Sequence, residues 1–261
     1  MNTMSENGRS GTGLCPMCGA NPRRKNGPYC DSCAAKYQSK RCNALRARGL
    51  CTTCGQPTQP GKWRCDKHLA ISNISSKASH QVVRQKVFAG YGGPICACCG
   101  CEWDNFLTLD HIHGGGTRDH RRTNTFYRRL IAANFPDGYQ VLCQNCNWGK
   151  RYRDCCPHKG LPAMLTYDQK RKARIKREVM DHYGGPTCAC CNESMLEFLT
   201  MDHIAGGGRR HHQQGGTHNN ICAWLKKNSY PRGYQVLCMN CNWAKHKNGV
   251  CPHQGQIIIP E

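Results

Sequence analysis

The chain has 261 residues, with 23 Cys but only 5 Phe and 5 Trp, so large apolar cores are not expected and two to four small, stapled domains are. No apolar run resembles a signal peptide or a membrane-spanning helix, so a reducing, cytoplasmic setting with no membrane partner is expected. The staples should then be zinc held by C-x-x-C knuckles rather than disulfides. A formal charge of +21 suits a polyanionic partner, nucleic acid above all.

Residues 1–13 are polar and rich in Gly and Ser, a tail with no expected order. Residues 14–69 read as two tandem zinc ribbons. Cys15-x2-Cys18 is followed after 11 residues by Cys30-x2-Cys33, and Cys51-x2-Cys54 after 10 residues by Cys65-x2-His68. Each pair of knuckles has the spacing to wrap one tetrahedral zinc. Gly13-Leu14 and Gly49-Leu50 open the two copies in the same way. Residues 34–48 form a basic helix between them, suited either to anchoring on DNA or to a purely structural clip. Residues 70–80 are Ser-rich and read as a linker, after which Val82, Val83 and Val87 lead as a short helix into Gly92-Gly93-Pro94.

The rest of the chain is one unit written twice, over 81–162 and 179–261. Tyr91, Cys96, Asp110 and Gly114 recur 92 positions later as Tyr183, Cys188, Asp202 and Gly206. Cys143, Asn147 and Cys156 recur 95 positions later as Cys238, Asn242 and Cys251. A unit that keeps these residues through duplication is one structural module. Residues 163–178 join the copies as a basic helical linker, opened by a capping box at Thr166 and Gln169. Lys170, Arg171, Lys172 and Arg174 on it are placed to follow a phosphate backbone. Within a module, Cys96, Cys99, Cys143 and Cys146 form one zinc set, and Cys188, Cys191, Cys238 and Cys241 the other. The 43 residues between the first two knuckles must fold as an insert. FLTLDH and FLTMDH read as strands, the Gly runs as loops, TFYRRLIAANF and NNICAWLKKNSY as helices, and GYQVLC as a second strand. A last helix should start within CNWGKR or CNWAKH.

Asp110-His111 and Asp202-His203 at strand ends, with Cys146-Asn147 and Cys241-Asn242 at the last helix, resemble the HNH or ββα-metal nucleases. Within that superfamily the C-x-x-C knuckles around a DH and a CN motif are similar to the recombination endonuclease VII branch. The resemblance covers more than half of the chain. It implies treble-clef/ββα-metal modules, with His111 and His203 as general bases that activate water. It implies Asp110 with Asn147, and Asp202 with Asn242, as ligands of a catalytic Mg(II) or Mn(II). His120 and His212 are then a third ligand or a phosphate contact, and Lys150, Arg151 and Lys245 face phosphate. His113 has Ala205 as its counterpart, which makes the second copy the weaker site if that second histidine is needed.

The expected architecture is therefore α+β: two zinc ribbons followed by two zinc-stabilised modules, with about four structural zinc ions. Three all-cysteine sites at −2 each and one Cys3His site at −1 take the charge from +21 to +14. The expected function is metal-dependent hydrolysis of DNA phosphodiester bonds, one site per module, with one chain able to do the work of a dimer. Charge and motif admit RNA as well. Family analogy suggests a nucleoid-associated or phage-infected host cytoplasm as the setting. The rival reading is a zinc-dependent nucleic-acid-binding regulator without catalysis. Cys98, Cys156 and His158, with Cys190, Cys251 and His253, would give three ligands of a second zinc per module, or lie as buried thiols.

Overall fold

The computed structural model describes residues 13–114, 116, 123–153, 155–160, 165–208, 211 and 221–255. The expected tail, except Gly13, lies outside them, as do His120 and His212. The chain divides into two compact units, 1–80 and 81–261. Among the described residues no helix is long and apolar enough to cross a membrane.

In the first unit each ribbon opens on a tight knuckle. Leu14 bridges to Pro22 and Leu50 to Pro57. The Cys15 and Cys51 carbonyls accept from Gly19 and Gly55, whose φ of 64° and 76° favours glycine. Helix α1 (Asp31–Ala47) starts at the second knuckle and carries Cys33 in its first turn. Helix α2 (Asp66–Gly90) begins beside His68. The 70–80 stretch, expected as a linker, lies inside α2. Its sequence offers no proline and no glycine before Gly90, so nothing breaks the helical hydrogen-bond ladder.

In the second unit both modules share one plan. A short 3-10 turn (Asp104–Phe106) leads into β1 (Leu107–His111). Then come α3 (Thr123–Ala132), β2 (Tyr139–Cys143) and α4 (Gln144–Arg153). The second copy follows α5 (Tyr167–His182) with β3 (Leu199–His203), α6 (Ile221–Lys227), β4 (Tyr234–Cys238), α7 (Met239–Asn248) and the single turn α8 (Pro252–Gly255). β1 pairs antiparallel with β2, and β3 with β4, in the same register: Asp110 faces Gln140 and Asp202 faces Gln235. The last helices start two residues earlier than expected, directly after Cys143 and Cys238. Cys143 Sγ accepts from the Cys146 N–H at 3.4 Å, so the zinc knuckle itself supplies the helix start.

The helix before each hairpin belongs to the module rather than to a linker. Val83, Val87 and Phe88 of α2 match Ile175, Val179 and Met180 of α5, and all pack in the common core. The capping box of α5 is formed as expected, with Gln169 N–H donating to Thr166 Oγ1 at 3.2 Å and Thr166 N–H donating to Gln169 Oε1 at 3.0 Å. One apolar core runs through both modules, from Phe88 and Phe106 to Phe198 and Leu225. Where the modules meet, Asn145 N–H donates to Asn240 Oδ1 at 2.9 Å and Asn240 N–H to Asn145 Oδ1 at 2.8 Å. His158 packs on Phe198 (5.0 Å between ring centres) and, reciprocally, His253 on Phe106 (5.2 Å). Gly149 makes that approach possible, since a Cβ there would stand 2.8 Å from the Phe198 ring. The two copies are thus related as the subunits of a symmetric dimer, inside one chain.

Candidate active site and metal centres

All four zinc sets expected from spacing are assembled. In each of Cys15/Cys18/Cys30/Cys33, Cys51/Cys54/Cys65/His68, Cys96/Cys99/Cys143/Cys146 and Cys188/Cys191/Cys238/Cys241, the ligand atoms lie within 4.8 Å of one another. Sulfurs of paired knuckles stand 3.7 Å apart in Cys18–Cys30, Cys54–Cys65 and Cys191–Cys238, and 3.8 Å in Cys99–Cys143. A tetrahedron with Zn–S of ~2.3 Å has an S–S edge of ~3.8 Å, so the donor sets fit zinc. In the first ribbon, burial opposes charge on Cys15, but backbone N–H groups of Cys30, Met17 and Cys18 hold its pKa down at about 6. Burial and neighbouring sulfurs push Cys33 up to about 12. Four thiols so close do not all ionise without a cation among them.

The hairpin registers bring the Asp-His pairs beside the last helices. Asp110 is buried; Gln140 Nε2 and Lys150 Nζ each donate to its Oδ2 at 2.8 Å. In the second module Gln235 Nε2 donates to Asp202 Oδ2 at 2.8 Å and Lys245 Nζ at 2.5 Å. Each lysine also donates to the carbonyl of the histidine that follows, at 2.7 Å to His111 and 3.0 Å to His203. Lys150 and Lys245, expected to face phosphate, thus have their ammonium groups turned onto the aspartates. His111 stacks on Phe126 and meets Tyr139 edge-on. His203 meets the matching Tyr234, and its Nε2 lies 3.1 Å from His211 Nδ1.

Asp202, His203, Asn242 and Lys245 line one open cleft of about 550 Å³, floored by Gly206 to Gly208. Gly206 and Gly207 have φ of 73° and 90°, and a Cβ on Gly208 would stand 3.2 Å from His203 Nδ1. The glycine run is therefore a loop that passes close to the histidine ring. Burial, then the neighbouring His211, depresses the pKa of His203 below its ordinary value; Asp202 acts against this and Lys245 adds to it. Comparison of the chain with protein-family models, curated proteins and solved structures gives no match. The site is therefore read from its own geometry.

Of the other basic residues, Arg151 lies over the Trp148 ring at 5.5 Å. Lys170 and Arg174 are exposed on α5, while Arg171 and Lys172 pair with Asp168 at 3.5 Å and 3.4 Å. Arg171 and Arg174 share a second groove of about 550 Å³ with Lys226 and Lys227 of α6. Three residues escaped the sequence reading. His211 lies against His203, while His212, the residue aligned with His120, lies outside the described residues. Lys226 and Lys227 join the α5 groove only through the packing of α6 on α5, which leaves no trace in local spacing.

Proposed function

We propose that the protein is a metal-dependent endonuclease that hydrolyses phosphodiester bonds in DNA, with one site in each module. The observation that carries this reading is the meeting of Asp202, His203, Asn242 and Lys245 at one open cleft in a strongly basic chain. Asp202 and Asn242 offer the hard oxygen donors that suit Mg(II) or Mn(II), whose contribution when bound is to stabilise negative charge at the scissile phosphate. His203 does the proton chemistry. One hydrogen is shared in the His203–His211 contact. If His203 Nε2–H donates to His211, His203 Nδ1 is left as the basic nitrogen, beside the Gly208 backbone where no side chain blocks it. Its depressed pKa keeps the ring neutral, and so able to take a proton from water, at cellular pH. His111, Asp110, Asn147 and Lys150 would play the same parts in the first module. The groove lined by Arg171, Arg174, Lys226 and Lys227 suits the DNA backbone beyond the cleavage point.

One observation favours the rival reading, a non-catalytic nucleic-acid-binding protein: Lys245 and Lys150 already neutralise the two aspartates. The deciding experiment is supercoiled-plasmid cleavage by zinc-loaded protein in Mg(II), Mn(II) or EDTA, beside His111→Ala, His203→Ala and the double variant. Metal-dependent linearisation by the parent, nicking alone by each single variant and no cleavage by the double variant are expected. Linearisation by a single variant at the parental rate would overturn the assignment of one strand per site. Intact salt-sensitive binding with no cleavage by folded parent would establish the binding protein instead.

A further inference from the structure

Once the four-cysteine sets are assigned, three further donors recur in both modules: Cys98, Cys156 and His158 in the first, Cys190, Cys251 and His253 in the second. Zinc needs four. The fourth is a sulfur already in use. The ligand atoms of Cys98, Cys146, Cys156 and His158 all lie within 4.8 Å of one another. His158 Nδ1 is 3.4 Å from Cys146 Sγ and 3.5 Å from Cys156 Sγ. In the second copy His253 Nδ1 is 3.3 Å from Cys241 Sγ and 3.5 Å from Cys251 Sγ, and Cys190 lies against both of these sulfurs. Zn–S of ~2.3 Å and Zn–N of ~2.0–2.1 Å give a tetrahedral S–N edge of ~3.5 Å, which both copies meet.

We propose that each module holds a dinuclear zinc centre, bridged by the thiolate of Cys146 in the first module and of Cys241 in the second, so that the chain binds six zinc ions rather than four. Sharing a sulfur has an electrostatic reason. A four-thiolate site carries −2. The second ion adds +2 together with the two thiolates of Cys98 and Cys156, so the buried cluster stays at −2 and gains no charge that would need further compensation. The second ion also ties the segment after the last helix back to the knuckle. Through His158 and His253 it fixes the two rings that rest on Phe198 and Phe106 across the module boundary. Its structural role is then to lock the modules together, whatever chemistry the clefts perform.

The test is native mass spectrometry of the zinc-loaded full chain, with far-UV circular dichroism to verify folding. Six ions are expected in the parent, five in Cys98→Ser or Cys190→Ser, and four in the double variant; these changes spare every ligand of the four-cysteine sets. Fewer than six ions in the folded parent, or a parental count in the serine variants, would overturn the proposal. The bridge has its own readout, which needs no variant: in protein loaded with ¹¹³Cd, the resonances of the two ions in a module should split one another through the shared sulfur. Six ions without that splitting would overturn the bridge.

Discussion

Three lysines of the second unit turn their ammonium groups inward onto oxygen acceptors. Lys150 and Lys245 do so at the aspartates of the cleft, and Lys176 donates to the Leu196 carbonyl at 2.6 Å. Under the nuclease reading, Lys245 and a divalent ion compete for Asp202, and the displaced ammonium is freed for phosphate. Lys245→Met in a His111→Ala background should therefore lower the Mn(II) concentration for half-maximal nicking by roughly tenfold, while weakening DNA binding. An unchanged Mn(II) requirement would remove Asp202 from the ligand set. Lys176 makes a separate prediction. Burial lowers its pKa from 10.5 to about 8, so between those values the unfolded chain binds the more protons. Stability of the parent relative to Lys176→Met should accordingly rise from pH 8 to pH 10.5, read by urea denaturation at each pH; a flat difference would contradict the burial of a charged amine.

At the scale of elements, helix starts were legible where a side chain marks them, as at Thr166 and Gln169. The length of α2 was not, because a run of Ser and Asn reads as a linker although no residue in it prevents a helix. The contact of α4 with α7 was also hidden, since Asn145 and Asn240 lie 95 positions apart and carry no motif. Their reciprocal hydrogen bonds join the two last helices directly across the module boundary. Asn145→Ala leaves the Asn240 N–H without its acceptor in a partly buried place, at a cost of about 1–3 kcal/mol. The expected outcome is a lower urea midpoint with zinc content unchanged; a loss below 0.5 kcal/mol, in order of magnitude, would mean that the pair does not hold the boundary.

For the whole molecule, the zinc staples should be separable from any divalent ion of the proposed cleavage. Chelators strong enough to strip zinc should abolish the helical circular dichroism, because small apolar cores cannot hold these modules without their staples. Under the nuclease reading, withdrawing Mg(II) or Mn(II) alone should leave the spectrum intact and stop only cleavage. Retained structure after complete zinc loss would show that the core of Phe88, Phe198 and Leu225 suffices. The charge of the chain is unaffected by the second zinc of each module and still favours a polyanion.

The duplication, the four zinc sets, the Asp-His and Cys-Asn adjacencies and the capping box were all determined by the sequence, because each is a local spacing or a repeated string that covalent geometry alone constrains. The tertiary structure decided the rest. It turned Lys150 and Lys245 onto the aspartates, brought His211 against His203, and set the two modules face to face. It also let one sulfur serve two donor sets. These are contacts between residues brought together from distant parts of the chain, and burial and packing, which no local pattern encodes, select them.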